Sequence, residues 1–352
     1  MRAFFDPEQS RHDPQQFMQL GRISDPKDLP SRTEALLTAL SRRGITPEAP
    51  PDYGLDPILA IHTRPFVEYL SSAYERWSQL PDAGPEVLPN ASPYWNGRPE
   101  WTARPPCRSG SIVAQTNYFL GDLAVPIGPA TWTSALRSAH TAVAGADAVI
   151  DGAGPAFALC RPSGHHARAD RASGFCYLNN AAIGAERLRG RYKRVAVLDV
   201  DAHHGDGTQE VFYRRSDVIT ASVHVDPVHY YPFFTGYADE EGVGDGTGFN
   251  LNLPVAPGSD NATFLATIDT ALARIRDFGA EALVVSLGYD AHAEDPIGLL
   301  KVTTEGFRAV GARVRDFSLP TLVVQEGGYQ VSVIGDCLGE FLDGLRGGEG
   351  SG

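Results

Sequence analysis

The sequence predicts a single α/β domain, a doubly wound and mostly parallel sheet flanked by helices, with long loops at the carboxyl ends of its strands. Three observations lead there. From residue 131 onward, short Val/Leu/Ile-rich runs alternate with segments of helical period. The runs are apolar throughout rather than alternating, as strands covered on both faces are. No Pro/Gly-rich linker divides the chain, so residues 1–346 read as one domain and the glycine-rich residues 347–352 as a flexible tail.

The elements follow in order. Residues 1–5 suit a short edge strand. Ser31-Arg32-Thr33-Glu34 reads as a capping box after Pro30. Leu36, Leu37 and Leu40 continue that helix, and Gly44 closes it. A second helix is expected over residues 67–80. Residues 82–130 form a proline- and aromatic-rich insert with Tyr94, Trp95, Trp101 and Tyr118. So many aromatics in a loop suit a site rim or a subunit contact, with a satellite core as the alternative. A helix begins at Thr131 and passes Trp132, Leu136, Ala139 and Val143. The strand runs are residues 156–160, 195–200 (VAVLDV), 218–224 (VITASVH), 282–288 (ALVVSLG) and 321–325 (TLVVQ). Helical segments fall near 177–190, 207–215, 260–278, 303–317 and 332–346.

Composition narrows the function. The 352 residues carry 30 Lys and Arg against 43 Asp and Glu, a net charge of −13, which disfavours a nucleic-acid partner and favours cationic substrates. No apolar run approaches the ~18 residues of a membrane span. The N-terminus lacks the apolar core of a secretory signal. The four cysteines form no CxxC pair. A reducing, cytoplasmic setting is expected, with no Cys-based zinc framework.

In a doubly wound sheet, ligands bind beyond the carboxyl ends of the strands. Four runs end there in polar clusters. Residues 161–166 (RPSGHH) follow the first, residues 199–207 (DVDAHHGDG) the second, Tyr289-Asp290 with Asp295-Pro296 the third, and residues 326–329 (EGGY) the last. Asp201 and His203, spaced i, i+2 at a strand end, point to one side. A carboxylate and an imidazole suit a divalent metal, Zn²⁺ above all, and Asp290 from another strand supplies a third ligand. Three protein ligands leave a position for water. The opening Asp199-x-Asp201 also resembles a calcium loop, but His204 stands where such a loop needs glycine. The plain alternative, a set of mutually satisfied buried polar groups, leaves costly carboxylates without a cation. His165 and His166 can serve as base and acid, with Asp199 and Asp206 fixing their tautomers. Tyr329, after two glycines, can donate to a developing oxyanion.

The motifs RPSGHHA, GFCYLNNAA, VLDVDAHHGDGTQ, SVH, GYDAHAEDP and EGGY together resemble the zinc-dependent histone deacetylase family of the arginase–deacetylase superfamily. The stretch IHTRPFVEYL and the insert look most like its bacterial acetylpolyamine amidohydrolase branch. The resemblance implies an arginase/deacetylase-like fold and hydrolysis of an acetyl amide, on an acetylated polyamine or an acetyl-lysine. It implies one zinc on Asp201, His203 and Asp290, His166 as general base, His165 as electrostatic partner, and Tyr329 polarising the carbonyl. It places Phe175 and Tyr231 on the walls of a narrow tunnel, with Gly174 and Ile297 nearby; where the acetylpolyamine branch uses a glutamate of the insert to select cationic chains, this chain departs from the pattern and offers only Asp122. It also implies structural potassium. One site would use Asp199, Asp201, His203, Ser222 and Val223, and a second the main-chain oxygens of Phe212, Arg215 and Val218. A homodimer or homotetramer is expected, with the Trp95/Trp101 insert across a two-fold interface.

Rival readings differ at named positions. A binuclear ureohydrolase needs further carboxylates where this chain has Gly205 and Gly288. A non-catalytic binding protein on the same scaffold would usually lack a metal ligand or the tyrosine, and all are present. Hydrolysis of other small amides stays open. His62, His140 and His224 read as packing residues, Cys176 as a small buried hydrophobe, and His292 as an exposed lip residue.

Overall fold

The computed structural model describes residues 1–19, 21–91 and 106–347. Tyr94, Trp95, Trp101 and residues 348–352 of the tail lie outside the described residues. The strands in chain order are β1 (Arg2–Phe4), β2 (Phe17–Gln19), β3 (Arg22–Ser24), β4 (Ala156–Ala158), β5 (Val195–Asp199), β6 (Val218–Val225), β7 (Asn250–Val255), β8 (Ala282–Leu287) and β9 (Thr321–Gln325). The helices are α1 (Ser31–Arg42), α2 (Asp56–Leu59), α3 (Arg64–Trp77), α4 (Ile112–Phe119), α5 (Thr131–Ile150), α6 (Asn180–Arg189), α7 (Asp206–Phe212), α8 (Asn261–Phe278), α9 (Thr304–Phe317) and α10 (Val331–Arg346).

Seven strands form one sheet in the order β1-β4-β9-β8-β5-β6-β7. Every pairing in it is parallel. Both faces are covered, as the apolar strands require. In β5, Ala196 and Leu198 face a core shared with Leu36 of α1, Phe264 of α8, Phe307 of α9 and Phe341 of α10. Val195 and Val197 face the opposite core, with Phe66 of α3, Val143 of α5 and Ile183 of α6. Because the strands run the same way, their carboxyl ends collect on one edge, and the polar clusters meet there. β2 and β3 form a separate antiparallel hairpin.

Three local expectations need correction. Ser31 is the first residue of α1 rather than its cap; Pro30 occupies the cap position in the α-region, and no side chain caps the helix. The second helix starts at Arg64, where Pro65 fits the first turn, three residues earlier than its apolar pattern suggests. β7 was not expected from its sequence, NLNLPV, which is half polar and contains Pro254. It is an edge strand, where a proline is tolerated. Tyr118 of the insert packs against a core as a partly buried residue, the satellite-core alternative. No helix among the described residues is long and apolar enough to cross a membrane.

Candidate active site

Asp201 and His203 sit in the bend just beyond β5, and Asp290 lies just beyond β8. The i, i+2 pair therefore converges through a bend rather than through strand alternation. One ligand atom from each of Asp201, His203 and Asp290 lies within 4.8 Å of the others, and all three residues are buried. Each carboxylate is aimed by backbone donors. Asp201 accepts from the N–H of His203 (2.8 Å) and of Gly327 (2.8 Å). Asp290 accepts from the N–H of Ala202 (2.8 Å). His203 Nδ1 stands 3.1 Å from Asp201 and 3.0 Å from Asp290. Burial and the neighbouring Asp201 raise the pKa of Asp290. Two buried carboxylates this close call for a positive charge between them. A carboxylate–imidazole–carboxylate set that converges on one point fits a divalent cation, zinc in particular.

Glycine is required around this point. A Cβ at Gly288 would lie 2.0 Å from Asp201 Oδ2, and one at Gly205 would lie 2.3 Å from Asp199 Oδ2. A side chain at either position would displace the carboxylate it meets, so the binuclear reading carries a steric cost as well as lacking its carboxylates in the sequence.

The histidine pair lies after β4. His165 Nδ1 is 2.9 Å from Asp199, and His166 Nδ1 is 2.7 Å from Asp206. Each imidazole is thus held at one nitrogen, and Nε2 is left for chemistry. Asp206 is held in turn by Arg168 at 2.7 Å. Burial, together with His165 nearby, lowers His166 to about 4 against the pull of Asp206. Burial also opposes a charge on His165, but Asp199 and Asp201 outweigh it and raise its pKa. Their surroundings thus push the pair apart, His166 toward the neutral form and His165 toward the charged one.

Above them lies a cavity of about 370 Å³, lined by His166, His203, Gly174, Phe175, Tyr231, Ile297, Tyr329 and Asp122. Gly174 has φ +53°, and a Cβ there would lie 2.5 Å from His166 Cδ2. Without that Cβ the chain passes close over His166, and the next residue, Phe175, packs against Tyr329 with ring centroids 5.5 Å apart. Tyr231 stands edge-on to His166 at 5.0 Å. Its hydroxyl donates to Asp122 (2.7 Å), which also accepts the N–H groups of Gly174 (3.0 Å) and Ala124 (2.9 Å). Every expected tunnel residue is thus at the cavity.

Of the potassium residues, Asp199 and Ser222 pair in register on β5 and β6 and line one small polar cavity, and Val223 follows Ser222 on β6. Phe212, Arg215 and Val218 lie where the chain passes from α7 to β6, and the Phe212 carbonyl accepts the Arg215 N–H at 2.9 Å.

Several participants were missed in the sequence. Phe17, Met18, Tyr230 and Phe233 also line the cavity. Asp28 accepts from Arg32 (2.5 Å) and Arg161 (2.9 Å), all three buried. Arg32 then donates to the carbonyls of Glu326 (2.7 Å) and Gly328 (2.5 Å) and lies over the Tyr329 ring at 4.8 Å. The arginine inside the supposed capping box thus clamps the turn that carries Tyr329. His292 is buried, not a lip residue. Its Nδ1 accepts the Glu294 N–H and its ring lies along Phe307, so local turn chemistry absorbs it. His62, His140 and His224 are packing residues as expected, each with a backbone carbonyl at one ring nitrogen. Cys176 is fully buried.

The model of the histone deacetylase domain matches residues 27–345. The chain is 43% identical over 346 residues to the acetylpolyamine amidohydrolase of Burkholderia pseudomallei, covering 98% of each. It is 38% identical over 349 residues to the acetylpolyamine amidohydrolase of Mycoplana ramosa, covering 99% of this chain and 100% of that one. A crystal structure of the Burkholderia pseudomallei acetylpolyamine aminohydrolase superposes with a TM-score of 0.93 at 42% identity over 98% of both chains. The HDA15 HD domain superposes with a TM-score of 0.81 at 25% identity, over 99% of this chain and 91% of that one. The chain belongs to the histone deacetylase domain family.

Proposed function

We propose that this protein is a zinc-dependent deacetylase whose substrates are small acetylated amines of the polyamine kind. The observation that carries the reading is the convergence of Asp201, His203 and Asp290 beside the His166–Asp206 dyad at the inner end of one cavity. Bound to that triad, zinc would lower the pKa of a water toward ~7 and polarise the amide carbonyl.

The chain's own groups supply the rest. Phe175 and Tyr231 guide a slim aliphatic stem inward and exclude bulk water. Asp206 holds the proton on His166 Nδ1, so Nε2 takes a proton from the attacking water. Charged His165, held by Asp199, stabilises negative charge as it develops. The Tyr329 hydroxyl donates to the carbonyl oxygen as it gains charge. The C–N bond then breaks. The amine takes the proton that His166 held, and acetate remains.

Full-length likeness to acetylpolyamine amidohydrolases and the net charge of −13 support the small-amine reading. Asp122 is a carboxylate of the cavity wall, where it accepts from the Tyr231 hydroxyl and from the N–H groups of Gly174 and Ala124. We infer in the same way that Asp199, Asp201, His203, Ser222 and Val223 hold one potassium ion, and carbonyls of Phe212, Arg215 and Val218 a second. Exchange of potassium for sodium should then lower the melting temperature.

Zinc content and hydroxamate binding test the site. Wild type should retain zinc at the triad and bind a hydroxamate, and Asp290→Ala should retain one zinc fewer per chain and bind no hydroxamate. Wild type that holds no zinc against dialysis would end the proposal.

A further inference from the structure

Behind the histidine pair lies a second set of ligating atoms, of which the proposed reaction uses only His165. Glu326 is fully buried. Its Oε2 accepts the N–H groups of Gly164 (2.7 Å) and His165 (3.1 Å). Its Oε1 has no hydrogen-bond partner. An unpaired carboxylate oxygen at such depth is costly. An imidazole nitrogen of His165, the Cys176 sulfur and a Glu326 carboxylate oxygen lie within 4.8 Å of one another, all in buried residues. Because Asp199 holds His165 at Nδ1, the free nitrogen is Nε2, 3.9 Å from Asp201 Oδ2.

We propose that His165, Cys176 and Glu326 form a second site, for a borderline-soft divalent cation such as Zn²⁺ or Co²⁺, and that filling it inhibits the enzyme. Imidazole, thiolate and carboxylate are the donors such ions select. Bond lengths of about 2.0–2.3 Å place tetrahedral ligands about 3.5 Å apart, so the three side chains close by up to about 1 Å on binding. Burial raises the Cys176 thiol, so the ion displaces its proton, which leaves to solvent. Four buried carboxylates (Asp199, Asp201, Asp290 and Glu326) and one thiolate offset the charge of two adjacent cations. The ion would occupy His165 Nε2 and so withdraw that nitrogen from the reaction. Inhibition therefore rests on the role proposed above for His165, whereas binding does not.

Metal-free protein is titrated with Co²⁺, then separately with Zn²⁺ under turnover. With Co²⁺, a near-ultraviolet thiolate charge-transfer band should be small at one equivalent and grow with the second. With Zn²⁺, the rate should rise to one equivalent and then fall on the order of 10²-fold as the second binds. Cys176→Ala and Cys176→Ser should lack the band, and each should keep a constant ratio of activity between one equivalent and excess. No band in the wild type would overturn the site. Equal inhibition of the wild type and both variants would overturn its role. If one equivalent yields no activity, the deacetylase reading fails, and the band still decides the site.

Discussion

Gly288→Ala should damage the metal triad without touching any ligand. The added Cβ would stand 2.0 Å from Asp201 Oδ2, 2.5 Å from its Cγ and 2.8 Å from its Cβ. Real Cβ contacts do not fall below 3.0 Å, so the carboxylate must retreat by about 1 Å. It has little room to do so. Asp201 is fully buried, and the same oxygen holds the Gly327 N–H at 2.8 Å. Disturbed support of a ligand typically costs 10–100-fold in metal affinity. A misplacement of about 1 Å can cost about 10²-fold in rate. The fold itself should lose only about 1–3 kcal/mol, the usual cost of one extra methyl in a packed core. Zinc affinity is read by competition with a chromogenic chelator, kcat/KM on an acetylated diamine, and folding by circular dichroism. A folded variant within about threefold of wild type in both affinity and kcat/KM would refute the assignment of Asp201 as a ligand.

Further outcomes follow from the same geometry. Tyr329→Phe should lower kcat about 10²–10³-fold with the fold intact, in steady-state assays of the zinc-loaded protein. Asp28→Asn removes the carboxylate between two buried guanidiniums and should cost about 3–5 kcal/mol in urea denaturation. His62 titrates near 6.5 when unfolded and is lowered to about 4 by burial, with its Nδ1 on the Arg168 carbonyl and its Nε2 accepting the Asn179 N–H. Between those values the unfolded chain binds the extra proton, so stability falls as pH drops from 6.5 to about 4 and is flat above 6.5. The full swing is about 3 kcal/mol, and the difference between wild type and His62→Gln in that window should show its loss.

The sheet and the reacting groups were legible for one physical reason. A parallel sheet needs long apolar strands, and it delivers their ends to one edge. Each polar cluster is therefore continuous in sequence with a strand that announces it, as Asp199 to Asp206 follow residues 195–198. What escaped notice depends on partners far apart in the chain. Arg32 bonds the Glu326 carbonyl across 294 positions, and nothing local distinguishes it from a solvent-facing arginine in the first turn of a helix. Phe17 and Met18 reach the cavity from a separate hairpin whose three-residue strands carry little periodicity. β7 alternates polar and apolar residues because its buried Asn250 and Asn252 donate to the Gln209 side chain, a partner far off in the sequence. His292 shares the carboxyl edge with the reacting groups, and only the local turn sets it apart.

One comparison of substrates decides between a small acetylated amine and an acetylated peptide. Hydrolysis of acetylputrescine, acetylspermidine and an acetyl-lysine peptide is measured on a single zinc-loaded preparation, with Asp290→Ala as control. Small acetylated amines should exceed the peptide by orders of magnitude in kcat/KM, and Asp290→Ala should be inactive on all three. A peptide preference, or comparable values for all three, would contradict the small-amine assignment. Turnover by Asp290→Ala equal to wild type would contradict the metal site itself.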